Sequence, residues 1–493
     1  MTSNTSATLS TSLEQFRSDL YDLLPYRRDT LLDLLDALSS NTTARSVVEL
    51  SLSPNFRRSY SSITDGIDNF YQAPSEGEEG DSREEWEQKL VRLVIPYLPP
   101  PQVRKFWLFG LDVTPQPRPY AETLAERTYV YQPNTLSGNK PVNIGHQSSL
   151  LALLPEKEAS TPPWVVPLSV RRVSSEETKN EAGAAQVKAV LLAEALPFSG
   201  QLKVLVGDSD YSARSFLGEI YGDKANQDGK KKSDEQVAIV RSAGNRTFYH
   251  APSPIEGKKS VGHPTWYGTP FRLSDEETWG KPDQEEWTTW TTHRGKTYNV
   301  RLRGWHNIRM TGTRAYPMHQ YPFTLVRADV LDEAGRSVFK RPMWLIVIGQ
   351  RRAEVSLGEV WAAYRQRVDL EHYFRFGKQK LLLGAYQTPD VEHEENWGQL
   401  VPLAYIFLWL AAGLVDDMPR PWERPAPQSQ EMVSPARAQR GFGAIISQFG
   451  TPAQAPKPRG YSPGRATGQK QTPRKRHPVI KKDAKGQKSS AAA

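Results

Sequence analysis

No cysteine occurs anywhere in the sequence. Disulfides and thiolate metal sites are therefore excluded, and any metal ion has to be held by oxygen or imidazole ligands. The absence suits a reducing compartment. No secretory leader is expected, because Met1 to Ser12 is polar and has no basic stretch followed by an apolar one. The longest apolar run, Leu400 to Val415, contains Pro402 and is short for a bilayer, so it reads as a buried core helix and no membrane partner is expected. No internal repeat stands out. The 493 residues leave room for two or three domains and a sizeable core.

Acidic residues are almost absent from the end of the chain. From Thr451 onward there are 11 Lys and Arg against a single acid, whereas the remainder is nearly balanced at 52 basic to 54 acidic. A polyanion is the partner such a tail suggests, and the folded part has to bind one through local patches. The composition beyond Met418, rich in Pro, Ala, Gln, Lys and Arg, predicts a disordered basic tail over 418–493.

Residues 1–75 read as a helical module. Thr11-Ser12-Leu13-Glu14 has capping-box spacing, and Leu13, Phe16, Leu20, Leu23 and Leu24 share a face up to Pro25. Further helices are expected over Asp29 to Leu38, Thr43 to Leu50 and Phe56 to Tyr71, the last carrying Arg57 and Arg58. Such a module either reads DNA ends or packs as a small bundle on the next domain. Residues 76–104 begin with the acidic Glu76-Gly77-Glu78-Glu79-Gly80-Asp81, a linker composition, and continue into a helix from Ser82 to Tyr97.

Two apolar runs then end on carboxylates. Lys105 to Leu111 leads into Asp112, and Leu202 to Gly207 leads into Asp208, with Asp210 as a nearby rival. Runs of this kind are central strands buried on both faces, and ligands collect at strand ends in α/β sheets. Between them lie strands over Arg127 to Tyr131, Asn143 to Leu154 and Trp164 to Val173, and a helix over Ser175 to Leu196. His146 has no second His at ligand spacing and reads as a structural hydrogen-bonding group. Gln236 to Ala243 supplies the last core strand of 105–243.

Residues 244–350 turn β-rich, with strands over Arg246 to Ala251, Glu286 to Thr292, Tyr298 to Leu302, Phe323 to Leu331 and Val338 to Ile348, and hairpin cues at His293-Arg294-Gly295 and Glu333-Ala334-Gly335. This is read as an inserted subdomain, and it concentrates Trp266, Trp279, Trp287, Trp290 and Trp305. Residues 351–417 return to the core. There, Tyr364, Arg367, Glu371 and Lys378 fall within an arc of about 60° on a continuous helix. One acid among cations on one face suits a surface that grips phosphates and offers an oxygen ligand to a metal. His393-Glu394, between Asp390 and Trp397, reads as a turn.

Those four residues match the Y-(2)-R-(3)-E-(6)-K signature, and with Asp112 and Asp208 upstream the chain resembles the bacterial insertion-sequence DDE transposases. The resemblance implies a ribonuclease-H-like α/β fold: a mixed sheet flanked by helices, with the β-rich insertion and the helical N-terminal module. It implies Asp112, Asp208 and Glu371 as catalytic, metal-binding carboxylates for two Mg2+ or Mn2+ ions. Tyr364, Arg367, Arg375 and Lys378 would contact DNA, and Trp266, Trp290 or Trp305 would stack on a flipped base during hairpin formation. The partners implied are double-stranded DNA, as element ends and target, and a second copy in a homodimeric synaptic complex, in a cytoplasmic, nucleoid-associated setting. Two other readings stay open: a ribonuclease-H-fold nuclease or resolvase, and an inactive DNA-binding regulator.

Overall fold

The structure, a computed structural model, describes residues 2–74, 80–132, 141–158, 161–193, 198, 200–222, 232–253, 266–292, 295–425, 432–458, 464 and 466–482. Most of the expected acidic linker, the His293-Arg294 cue and the last eleven residues lie outside them.

Four helices come first: α1 (Thr2–Leu23), α2 (Arg28–Ser39), α3 (Ser61–Asp68) and α4 (Arg83–Val94). The capping-box spacing at Thr11 does not start a helix, because α1 runs straight through it. Serine and threonine are only mildly unfavourable inside a helix, so the spacing alone does not force a boundary. The helix expected over Thr43 to Leu50 shrinks to a short 3-10 turn at Val48–Leu52. Asn41 Oδ1 accepts from the amides of Thr43 and Ala44, which holds that stretch in a turn. In α4 the Ser82 and Glu85 side chains form a reciprocal capping box.

The core follows as β1 (Trp107–Pro117), β2 (Thr128–Tyr131), β3 (Val142–Leu153), β4 (Val166–Arg172), α5 (Lys179–Val190), β5 (Lys203–Gly207), α6 (Arg214–Tyr221) and β6 (Gln236–Ser242). Next are β7 (Thr247–Tyr249), β8 (Pro270–Arg272), β9 (Gln284–Thr291), β10 (Thr297–Ile308), β11 (Phe323–Leu331) and β12 (Met343–Ile348). The chain closes with α7 (Leu357–Gln366), α8 (Val368–Lys380), α9 (Val391–Ala411) and α10 (Pro435–Phe449).

The ten-stranded main sheet runs β2-β3-β1-β5-β6-β12-β11-β10-β9, with β4 also on β3. Among the strand pairs of the described residues, only β1–β5 and β5–β6 are parallel. This is the expected mixed α/β architecture. The β-rich stretch is not a sheet apart, however: β12 pairs antiparallel with β6, so β9 to β12 extend the core sheet, and only β7 and β8 form a separate pair. The nearly uninterrupted apolar runs in β6 and β12 explain the continuation, since a strand buried on both faces needs a neighbour on each edge.

Helices cover both faces of the sheet. A Cβ placed on Gly110 would lie 2.7 Å from Leu370 Cδ1 of α8, and one on Gly183 of α5 would lie 2.9 Å from Leu111 Cδ2. Consecutive strand residues point to opposite faces, so α8 lies on the Gly110 side and α5 on the Leu111 side. Asp112, two residues beyond Gly110, shares the α8 side.

Two expectations about the last third are corrected. Asp390 to Trp397 is not a turn: Asp390 caps α9 and His393-Glu394 lie inside it. The chain beyond Met418 is not disordered throughout, because α10 packs through buried Phe442 and Ala438. Two further tail segments are tied down. Arg17, Arg57 and Arg58 donate to the carbonyls of Gly450, Ala453 and Gln454, and Ile480 N donates to Arg127 O at 2.7 Å. The helical module is a bundle built on α9. Its arginines serve that packing: Arg17 pairs with Asp36, and Arg57 and Arg58 with Asp33. Arg57 and Arg58 lie ahead of α3, outside any helix, so the helix expected over Phe56 to Tyr71 does not carry them. No described helix is long and apolar enough to cross a membrane.

Candidate active site

The β1–β5 register pairs Leu111 with Gly207, so the next residues, Asp112 and Asp208, leave adjacent parallel strands side by side. Asp208 follows the end of β5 as expected. Asp112 does not end its strand, because β3 goes on pairing with β1 from Asp112 to Pro117 after β5 has stopped. It therefore stands where β1 loses its neighbour on one edge, which leaves room for a side chain to act.

The signature residues do not share one helix. α7 ends before Arg367 and α8 begins after it, although Arg367 itself keeps helical backbone angles (φ −50°, ψ −30°). Tyr364 is 6% exposed and lies beneath Arg367, whose guanidinium sits 5.9 Å from its ring centre. It supports the arginine more than it faces solvent. Arg367 Nη1 donates to Asp112 Oδ2 at 3.0 Å and Nη2 to Glu371 Oε1 at 2.9 Å, joining the sheet carboxylate to the helix carboxylate. Lys378 Nζ donates to Pro115 O at 3.0 Å, tying the far end of α8 to β1. Arg375 is exposed on α8.

Nearby acids have other partners. Asp210 pairs with Lys179, and its amide donates to Asp208 Oδ1 at 2.9 Å. Asp369 is buried and accepts from Lys157 Nζ at 2.7 Å. Neither contact was legible in the sequence, since the partners lie far apart along the chain.

Burial lifts the Asp112 carboxyl to about 6; Arg367 opposes the shift, while Asp208 and Glu371 add to it. Burial raises Asp208 too, followed by the charge of Asp210. Three carboxylates facing one guanidinium leave a deficit of positive charge, and hard oxygen donors are the ligands that Mg2+ and Mn2+ prefer. The donor chemistry therefore fits such ions. Among the described residues no three acids or histidines yet converge closely enough to hold one. Glu371, 51% exposed at its side chain, is the most exposed of the three acids.

The three tryptophans expected to stack on a base differ in setting. Trp305 is 2% exposed, packed among Phe271, Trp279 and Trp344, so it fills the core and cannot receive a base. Trp266 stacks on His319, centroids 3.9 Å apart. Trp290 is half-buried with Arg365 of α7 at 4.0 Å over its ring. It shares a strand face with Glu286, which accepts from the Gly358 amide of α7, so Trp290 lies on the helix-covered side that also holds Asp112. His146, read as structural, pairs with Glu394 of α9 and meets Ala125 O at 3.0 Å.

A family profile described as DDE superfamily endonuclease matches residues 19–301, more than half of the chain. The match takes in Asp112 and Asp208 and stops before α8. No curated protein matches the sequence.

Proposed function

The chain belongs to the DDE superfamily endonucleases, enzymes that act on phosphodiester bonds of DNA with divalent metal ions, and from that premise we propose that it is a DNA transposase. Asp112, Asp208 and Glu371 are its metal ligands. The observation that carries this reading is the link Arg367 makes between the helix carboxylate Glu371 and Asp112, which lies beside Asp208 on the adjacent parallel strand.

Bound divalent ions supply activation of a water or 3′-hydroxyl and charge stabilisation at the leaving oxygen. The chain's own residues do the rest. Asp112 is set by the sheet register and Asp208 by the turn whose amide it accepts. Arg367, Arg375 and Lys378 hold phosphates without reading bases. Tyr364 backs Arg367. Trp290 is the stacking residue that best fits a hairpin intermediate, because Arg365 beside it neighbours Tyr364; stacking of this kind is worth roughly 1–3 kcal/mol per base. Excision then proceeds by hydrolytic nicking at each element end, attack of the freed 3′-hydroxyl on the opposite strand with displacement of the flanking 3′-oxygen to give the hairpin, hydrolysis of the hairpin to restore the 3′-hydroxyl, and strand transfer by that hydroxyl within a synaptic dimer.

A labelled duplex carrying the DNA end that flanks the gene, mixed with a target plasmid and Mg2+ or Mn2+, tests the proposal. Joined products establish a transposase. Nicking without joining on any sequence would favour the nuclease reading, and binding without cleavage the regulator.

A further inference from the structure

Arg367 is a cation of fixed charge wedged between two carboxylates that a metal would need. Its two terminal nitrogens are committed to Asp112 and Glu371, its side chain is 15% exposed, and its Nε has no partner among the described residues. A guanidinium does not deprotonate in a protein, so it cannot share those oxygens with a divalent ion without direct cation–cation repulsion. A phosphate offers the same two-pronged acceptor as a carboxylate pair.

The residue also stands where its side chain can be re-aimed. It lies outside both α7 and α8, and its amide bonds to Tyr364 O in a tight turn instead of continuing a regular helix. Half-exposed Glu371 has room to follow once released.

We propose that Arg367 is a positioning residue that braces Asp112 to Glu371 while DNA is absent, and that it exchanges these carboxylates for a DNA phosphate before the three acids can hold a divalent ion together. The inference rests on Asp112, Asp208 and Glu371 being the metal ligands. Its consequence is a coupling: DNA and metal each raise the affinity for the other, by the same factor.

The test reads free Mn2+ by its electron paramagnetic resonance signal, with no turnover, in the full-length protein. In the absence of DNA, Arg367→Gln should bind Mn2+ about tenfold more tightly than the wild type. Arg367→Lys should also bind more tightly, because one ammonium keeps the charge but cannot span both carboxylates. Adding the end duplex in the cold should tighten Mn2+ binding by the wild type and leave Arg367→Gln unchanged. The inference is overturned if Arg367→Gln binds no better than the wild type, if Arg367→Lys stays as weak as the wild type, or if the DNA effect survives in Arg367→Gln. Asp112→Asn and Glu371→Gln separate the two levels: if both leave Mn2+ affinity intact, the ligand assignment itself fails. If they abolish binding while Arg367→Gln behaves as wild type, only the brace fails.

Discussion

Gly110 of β1 and Leu370 of α8 touch so closely that no side chain fits between them: a Cβ on Gly110 would come within 2.7 Å of Leu370 Cδ1. Leu370 is fully buried and immediately precedes Glu371, while Asp112 lies two residues beyond Gly110 on the same strand face. This contact sets how near the helix carboxylate comes to the sheet carboxylate. Gly110→Ala should therefore push α8 outward. We expect a stability loss of roughly 1–3 kcal/mol by denaturant melts, and a fall in cleavage of about 100-fold, as a misplacement near 1 Å produces. Leu370→Ala on the Gly110→Ala background should recover part of the activity by removing the clash.

Asp369 and Glu371 should separate cleanly by phenotype. Asp369 is held by Lys157 in a largely buried pair, so Asp369→Asn leaves the lysine without its partner. Allowing for the partial exposure of Lys157, the cost is roughly 1–3 kcal/mol of stability, with cleavage retained at the permissive temperature. Paired thermal melts and cleavage rates on the two variants check this, with Glu371→Gln melting as the wild type does.

Glu87 carries a pH signature. Burial pushes its carboxyl to about 7, offset in part by Arg171 and Arg83, and Gln399 donates to it at 3.0 Å. The folded protein therefore binds this proton more tightly than the unfolded chain does. The stability this gives is complete below the unfolded value of 4.5 and is lost as pH rises through about 7. Glu87→Gln should accordingly match the wild type in acid and exceed it above neutrality by roughly 1–3 kcal/mol. Urea melts at acidic, neutral and alkaline pH would show a constant gap if the side chain were unperturbed.

The two anchored parts of the tail predict different truncation effects. Removing residues 450–493 strips the carbonyl partners of Arg17, Arg57 and Arg58, whereas removing 466–493 leaves them in place. The longer deletion should lower the melting temperature by several degrees, at roughly 1 kcal/mol per lost hydrogen bond to a charged group. The shorter one should mainly weaken DNA binding and flatten its salt dependence, since it deletes clustered lysines and arginines. Equal melting of the two truncations would show that the 450–454 contacts contribute nothing.

The strands of the core were legible because buried parallel strands are written as apolar runs, and a carboxylate after such a run is conspicuous, as at Asp112 and Asp208. The signature helix was legible as spacing. Its division into α7 and α8 at Arg367 was not, because no proline or glycine marks it. The antiparallel pairing of β12 with β6 lay beyond reach, since a strand pattern does not name its neighbour. Composition misled most at the tail, where proline and lysine suggested disorder although Phe442, Ile445 and Ile446 repeat at helical spacing and bury against the bundle. His146, read as a structural hydrogen-bonding group, and Glu394, read as part of a turn, form a pair only because β3 and α9 meet in space.

The central claim is that Asp112, Asp208 and Glu371 form one metal-dependent catalytic set, and a carboxylate scan on the end duplex tests it most directly. Cleavage rate and DNA affinity are measured with Mg2+ and Mn2+ for Asp112→Asn, Asp208→Asn and Glu371→Gln, beside Asp210→Asn and Asp369→Asn. Each of the first three should lose cleavage by about 1,000-fold or more while still binding DNA, because the ligands act as one unit, and the latter two should keep cutting. Full cleavage by any of the first three, or a loss confined to Asp210→Asn or Asp369→Asn, would contradict the assignment.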